Sequence, residues 1–339
     1  MVIISDCLTE QPAEGCLKIA YNLIKRIKER APQTMVITYG KKSILSSCHM
    51  KLNRMFLNME LLTFLRKKQE PVLYIPNASC TLASAVRTWV LAKFTRRSVN
   101  VLFVQWHGMN PVTRHLLKQS GAAIICVSRE SARRYEENGL PAVYLKTGVD
   151  TDRFQPVDET RKQELRRKYH LPEQARIVLH VGHLKEGRNL DKFCLLKDEY
   201  LTVLVISTVT VEECGIREQL AQYPNISILD TYIENIEEIY QLADVYFFPV
   251  LESGNCIDVP LSVLEAAACG LPILTTRYGE LREFVSTEGF CFLEDFEPQK
   301  IHAALDRLYQ VRQINMNREA VLAYGWNHAV SVLTGEHYE

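Results

Sequence analysis

The chain has 339 residues, 47% of them hydrophobic and 24% charged, which suits a globular protein of two domains and excludes an intrinsically disordered one. Lys plus Arg and Asp plus Glu each total 40, so the formal net charge is zero, and the basic surplus expected of a nucleic-acid binder is missing. The most apolar helix-like stretch, Ala83 to Phe94, is broken by Arg87 and Lys93 and is too short to span a bilayer.

From the N-terminus, Val2–Ser5 reads as a buried strand and not as a leader, because no basic residues precede it and Asp6 follows after few apolar residues. Further strands are predicted at Met35–Tyr39, Val72–Ile75, Val101–Gln105, Ala123–Val127 and Ala142–Leu145. Helices fall between them at Cys16–Arg30, Asn58–Lys68, Thr81–Thr95, Val112–Gln119 and Arg129–Asn138. The charged stretch Asp158–Tyr169 is a linker and opening helix, after which the alternation restarts. Strands are predicted at Arg176–Val181, Leu201–Ile206, Ile226–Leu229, Val245–Pro249, Pro272–Thr275 and Phe290–Leu293. The helices there are Ile236–Leu242, Ser262–Cys269, Pro298–Tyr309 and a terminal Asn327–Glu339.

Strand and helix alternating twice over imply two doubly wound parallel sheets, with ligands beyond the carboxyl ends of the strands. Neither a G-x-G-x-x-G nor a G-x-x-x-x-G-K-[ST] run occurs, so dehydrogenase and P-loop readings lose their main support. Ten cysteines scatter from Cys7 to Cys291 with no C-x-x-C pair, and the expectation is free thiols in a reducing, cytoplasmic setting.

The most informative segment runs from Pro249 to Val285. A strand ends at Pro249, a loop carries Glu252 and Asp258, and a helix opens at about Pro260–Ser262. Its N-terminal N–H groups, Ser262 among them, suit a diphosphate. Glu265 is expected in the first turn, where a carboxylate either accepts bonds from ribose hydroxyls or simply favours the helix dipole.

The run Leu264-Glu265-Ala266-Ala267-Ala268-Cys269-Gly270-Leu271-Pro272-Ile273, followed by Gly279-Glu280-Leu281-Arg282-Glu283, resembles the donor signature of retaining GT-B glycosyltransferases of family 4. Other blocks resemble that family in the same order. They are Gly148-Val149-Asp150 through Phe154-Gln155-Pro156, Val181-Gly182-His183-Leu184 with Arg188, Tyr240 through Ala243-Asp244-Val245, and Tyr324-Gly325-Trp326. The match is densest from about Gly148 to Val285.

The resemblance implies a GT-B fold of two facing Rossmann-like domains with a cleft between them. Residues 1–155 would form the acceptor domain and 156–321 the nucleotide-sugar domain, with a helix at about 322–339 packing back on the first. It implies transfer of a sugar from a UDP- or GDP-sugar to a glycan, lipid-linked or small-molecule acceptor, with retention and without a metal or other cofactor. A non-catalytic nucleotide-sugar or glycan binder and a sugar-nucleotide epimerase share the architecture and are the rivals.

Residue by residue, the family's cationic pair on the diphosphate corresponds to His183 and Arg188, with Lys185 as a substitute for the partly charged histidine. Gly182 and Gly15 would let backbone approach the donor, although a simple turn accounts for Gly15 as well. Glu265 would hold the ribose, and the Tyr232–Ile233 region would flank the base. The family's first acid falls on Ile257, so Asp258 or Glu252 must replace it. His107, at a strand end, is the candidate near the reacting sugar carbon. Basic clusters at Lys25, Arg26, Lys28 and Arg30, at Arg66, Lys67 and Lys68, and at Lys93, Arg96 and Arg97 are compatible with peripheral docking on anionic lipid; solvated helix ends account for them equally.

Overall fold

A computed structural model describes the chain apart from residues 7, 11–13, 40–42, 51–56, 69, 77–78, 96, 208–214, 312–313 and 336–339. Its first strands are β1 (Val2–Ser5), β2 (Met35–Thr38), β3 (Cys48–His49), β4 (Val72–Ile75), β5 (Val99–Phe103), β6 (Ala123–Cys126) and β7 (Ala142–Tyr144). They are followed by β8 (Arg176–Gly182), β9 (Tyr200–Ile206), β10 (Ile226–Leu229), β11 (Val245–Phe248), β12 (Ile273–Thr275) and β13 (Phe290–Phe292).

The helices are α1 (Gly15–Arg30), α2 (Met59–Lys67), α3 (Leu82–Thr95), α4 (Pro111–Ser120), α5 (Arg129–Glu137) and α6 (Glu159–Lys168). Next come α7 (Ile216–Leu220), α8 (Ile236–Leu242), α9 (Leu261–Ala268), α10 (Pro298–Gln310), α11 (Ile314–Val321) and α12 (Trp326–Thr334). Short 3-10 turns cover Glu186–Arg188, Leu190–Leu195, Gly279–Phe284 and Leu322–Tyr324.

The chain divides into two units, Met1–Thr147 with Trp326–Glu339, and Gly148–Gly325. In the first, a parallel sheet runs in the order β3-β2-β1-β4-β5-β6-β7. The central strands β1 and β4 are buried along their length, because helices cover both faces, while the edge strands β3 and β7 are only partly buried. Ile4, Ile37, Leu65, Tyr74, Leu91, Phe103 and Tyr135 share its core. The closing helix α12 belongs to this unit, where Arg30 Nη1 donates to Ser331 Oγ at 2.9 Å. Residues 336–339 of the expected terminal helix lie outside the described residues.

The second unit is a parallel sheet in the order β10-β9-β8-β11-β12-β13 around a core that includes Val178, Phe193, Leu204, Phe247, Leu274 and Leu305. Two parallel Rossmann-like sheets with helices give the expected fold class.

The segment Gly148–Gln155, expected to end the first domain, instead packs within the second unit. Arg318 explains this, since its guanidinium donates to the carbonyls of Phe154 at 2.7 Å and Thr151 at 2.8 Å. Phe154 is itself buried edge-on against Tyr240, with ring centroids 5.6 Å apart. Asp244 ties the opening helix to the same sheet. It accepts from Arg166 at 2.8 Å, from Lys162 at 2.5 Å and from the Ile177 N–H at 2.7 Å.

Candidate functional site

In each sheet the strand order reverses about the first strand, β1 in one unit and β8 in the other, which is where open α/β sheets bind ligands. Around the carboxyl ends of β8 and β11 the second unit gathers most of the sequence-derived candidates. Gly182 ends β8, and the turn after it carries His183, Lys185 and Arg188. Asn189, in a left-handed conformation, anchors this turn by donating to the Pro249 carbonyl at 2.8 Å.

Arg188 is 8% exposed, and no ion pair among the described residues engages it. Its Nε has no hydrogen-bond partner, while its guanidinium bonds the Cys256 sulfur. Burial raises the Cys256 thiol above its ordinary pKa although Arg188 opposes the shift. A guanidinium removed from water without a carboxylate is costly, and an arriving anion offsets that cost. His183 beside it is half-buried and Lys185 is exposed.

Beneath the turn lies His180, fully buried, which sequence reasoning passed over. Its ring is sandwiched near Tyr246 and Phe248, and its Nδ1 contacts the Phe247 carbonyl at 2.9 Å, so Nδ1 carries the proton. Burial drives its pKa down to about 3, and the charges of Arg188 and His183 push the same way. Nε2 faces Gly182 without a partner, at 2.8 Å from where a Cβ on Gly182 would sit, so only glycine fits there.

Glu265 is the second anchor. The expectation of a first-turn carboxylate is corrected: α9 starts at Leu261 behind the N-cap Pro260, and its first turn holds no acid. Glu265 falls in the second turn, where the dipole effect has faded, and is 6% exposed. The buried Tyr240 donates to Glu265 Oε2 at 2.8 Å. Burial, reinforced by Glu265, holds that phenol well above its ordinary pKa, so it remains a donor. Ser262 is half-buried in the first turn and bonds the Tyr246 hydroxyl.

Of the two acids competing for the loop role, Glu252 is exposed and Asp258 is half-buried. Asp258 is held in place, since its carbonyl accepts from the Glu280 N–H at 2.9 Å. Gly279 permits this contact: its φ is +48°, and any Cβ there would overlap the Asp258 carbonyl. Tyr278 clamps the same loop through both the N–H and the carbonyl of Cys256. Tyr232 is 72% exposed and Ile233 half-buried, both beyond the carboxyl end of β10.

His107 and Gly15 belong to the other unit. His107 is exposed in the loop between β5 and α4, and Gly15 opens α1 without a side-chain cap. Among the described residues no helix is long and apolar enough to cross a membrane. Arg96 of the basic clusters lies outside the described residues.

The match to a protein family falls within this unit. Residues 175–311 match the family profile Glycosyl transferases group 1. A Mycobacterium tuberculosis protein named GDP-mannose-dependent alpha-(1-6)-phosphatidylinositol monomannoside mannosyltransferase is 28% identical over 204 residues, covering 54% of this chain and 51% of the relative. The chain thus spans about half the length of the curated relatives it matches. Among solved structures, a Rickettsia africae glycosyltransferase superposes with a TM-score of 0.76 at 13% identity, covering 98% of this chain and 97% of that one. Anabaena HepE, solved with UDP and glucose, superposes with a TM-score of 0.73 at 12% identity, covering 98% of each chain. The chain therefore has the fold of GT-B glycosyltransferases, and its residues 175–311 are similar to the Glycosyl transferases group 1.

Proposed function

We propose that the protein is a retaining glycosyltransferase of family 4 type. It moves a sugar from a UDP- or GDP-sugar to a glycan, lipid-linked or small-molecule acceptor, without a metal. The observation that carries this reading is the buried Arg188, whose Nε is unpartnered beside the carboxyl end of β8. The donor named for one relative, GDP-mannose, and the UDP and glucose bound in a solved structure of the same fold support a nucleotide sugar.

Arg188, with His183 and Lys185 on the same turn, binds the diphosphate next to Gly182. Negative charge grows on the leaving phosphate as its bond to the anomeric carbon breaks, so a fixed guanidinium stabilises the transition state more than the ground state. Glu265, oriented by Tyr240, accepts from the ribose hydroxyls. Ser262 meets the diphosphate, and Tyr232 and Ile233 flank the base. Asp258, preferred over the exposed Glu252, bonds the sugar, and His107 is the candidate for the reacting carbon. The acceptor oxygen attacks the face the phosphate leaves, and its proton passes to the departing phosphate oxygen.

A thermal-shift screen against UDP, GDP, ADP and their sugar conjugates, with and without EDTA, tests the reading. One nucleotide should stabilise the protein selectively, and EDTA should not change the shift. Absence of any shift at millimolar nucleotide would favour a non-catalytic protein.

A further inference from the structure

The first unit holds a buried polar cluster that the donor chemistry leaves unused. Asp6 directly follows β1, Tyr39 directly follows β2, Tyr74 lies near the end of β4, and Arg87 comes from α3. Parallel register brings the three strand ends together, with Ser5 paired to both Thr38 and Ile75. Arg87 Nη1 donates to Tyr39 Oη at 2.8 Å, to Tyr74 Oη at 3.2 Å and to Asp6 Oδ2 at 3.4 Å. The two phenols lie 3.0 Å apart, and the Arg87 guanidinium stands 4.9 Å from the Tyr39 ring centroid.

A buried ion pair adds little stability over apolar residues of the same volume, so the fold gains little by keeping one here. Its place is informative, because β1 lies between β2 and β4 at the switch point of the sheet, where ligands bind. The cluster is also polarised. The Asp6 side chain keeps 19% exposure against 9% for Arg87, so an incoming molecule meets the carboxylate first. A carboxylate offers only acceptor lone pairs and takes hydroxyl donors. The guanidinium behind it balances the charge and fixes its direction, and the phenols stay protonated because burial raises both.

We infer that Asp6, braced by Arg87, Tyr39 and Tyr74, is a binding site for the hydroxyls of an uncharged polyol, the sugar or cyclitol head of the acceptor. This rests on the glycosyl-transfer reading and assigns acceptor recognition to residues apart from the donor unit. Anionic groups are disfavoured against the Asp6 carboxylate.

Saturation-transfer NMR with glucose, mannose and myo-inositol tests the site on the whole chain, alongside thermal shifts with UDP and GDP. The wild type should bind at least one of these polyols. Asp6→Asn and Asp6→Glu should each weaken that binding by about ten-fold or more, loss of a charge-assisted hydrogen bond being worth at least that, while the nucleotide shift is kept. Asp6→Glu leaves Arg87 a carboxylate partner, so it separates a misplaced acceptor group from an unfolded unit. Polyol binding that is absent in the wild type, unchanged in both variants, or lost only together with the nucleotide shift would overturn the inference. A wild type that ignores every nucleotide but binds polyol through Asp6 would defeat the proposed function and leave this site standing.

Discussion

Replacing Arg188 by methionine keeps most of the side chain's length and removes its charge, and the structure predicts opposite effects on stability and on donor binding. Arg188 is 8% exposed, and its Nε has no partner, so in the free protein its burial is offset by little more than the Cys256 sulfur. Substituting apolar side chains for buried ionic groups typically gains about 1 kcal/mol or more. In a unit of this size that is a rise in Tm of roughly 2–4 °C. Donor binding moves the other way. Two charge-assisted bonds to phosphate oxygens at about 1.5–3 kcal/mol each predict a loss of roughly 3–6 kcal/mol, or about 10²–10⁴-fold in affinity. Differential scanning calorimetry without nucleotide and titration calorimetry with UDP and GDP read the two quantities separately. A variant with a lower Tm and unchanged nucleotide affinity would refute the reasoning, because Arg188 would then be a structural cation and not an anion receptor.

Other perturbations give independent checks. Tyr240→Phe removes the donor to Glu265 Oε2 and should destabilise the second unit by about 1–3 kcal/mol in urea unfolding. It should also weaken nucleosides that carry both ribose hydroxyls more than their 2′-deoxy forms. Gly279→Ala places a Cβ against the Asp258 carbonyl at positive φ and should cost about 1–3 kcal/mol, and transfer should fall further than nucleotide binding. His180 makes stability depend on pH. Its folded pKa of about 3 lies below the ordinary value of 6.5, so the unfolded chain takes up the proton first. Its contribution is therefore complete above pH about 6.5 and drains away towards pH about 3, roughly 2 kcal/mol of it by pH 5. His180→Gln should flatten that slope in denaturation curves between pH 5 and 7, and an unchanged slope would remove His180 as its source.

Sequence alone determined the two-sheet architecture, because strands buried on both faces must be short continuous apolar runs and their covering helices must be amphipathic. β1 and β4, buried throughout, fall on the predicted runs Val2–Ser5 and Val72–Ile75. The two-residue β3, the five-residue α7 and the helix α11 were not legible, since segments so short or so weakly patterned depend on neighbours for their order. The helix start at about Pro260–Ser262 was legible, but Glu265, the fifth residue from Leu261, lies one turn further in than the first-turn reading puts it. The V-G-H-L turn with Arg188 was visible as a motif. That its arginine is buried without a carboxylate, above a neutral histidine, follows from contacts with β11 and the loop at Cys256. Arg87 reads in sequence as a break in an apolar helix, and the fold turns it inward to Asp6, Tyr39 and Tyr74. No local pattern announces that cluster. Its members lie far apart along the chain, and only parallel pairing of β2, β1 and β4 brings them to one edge.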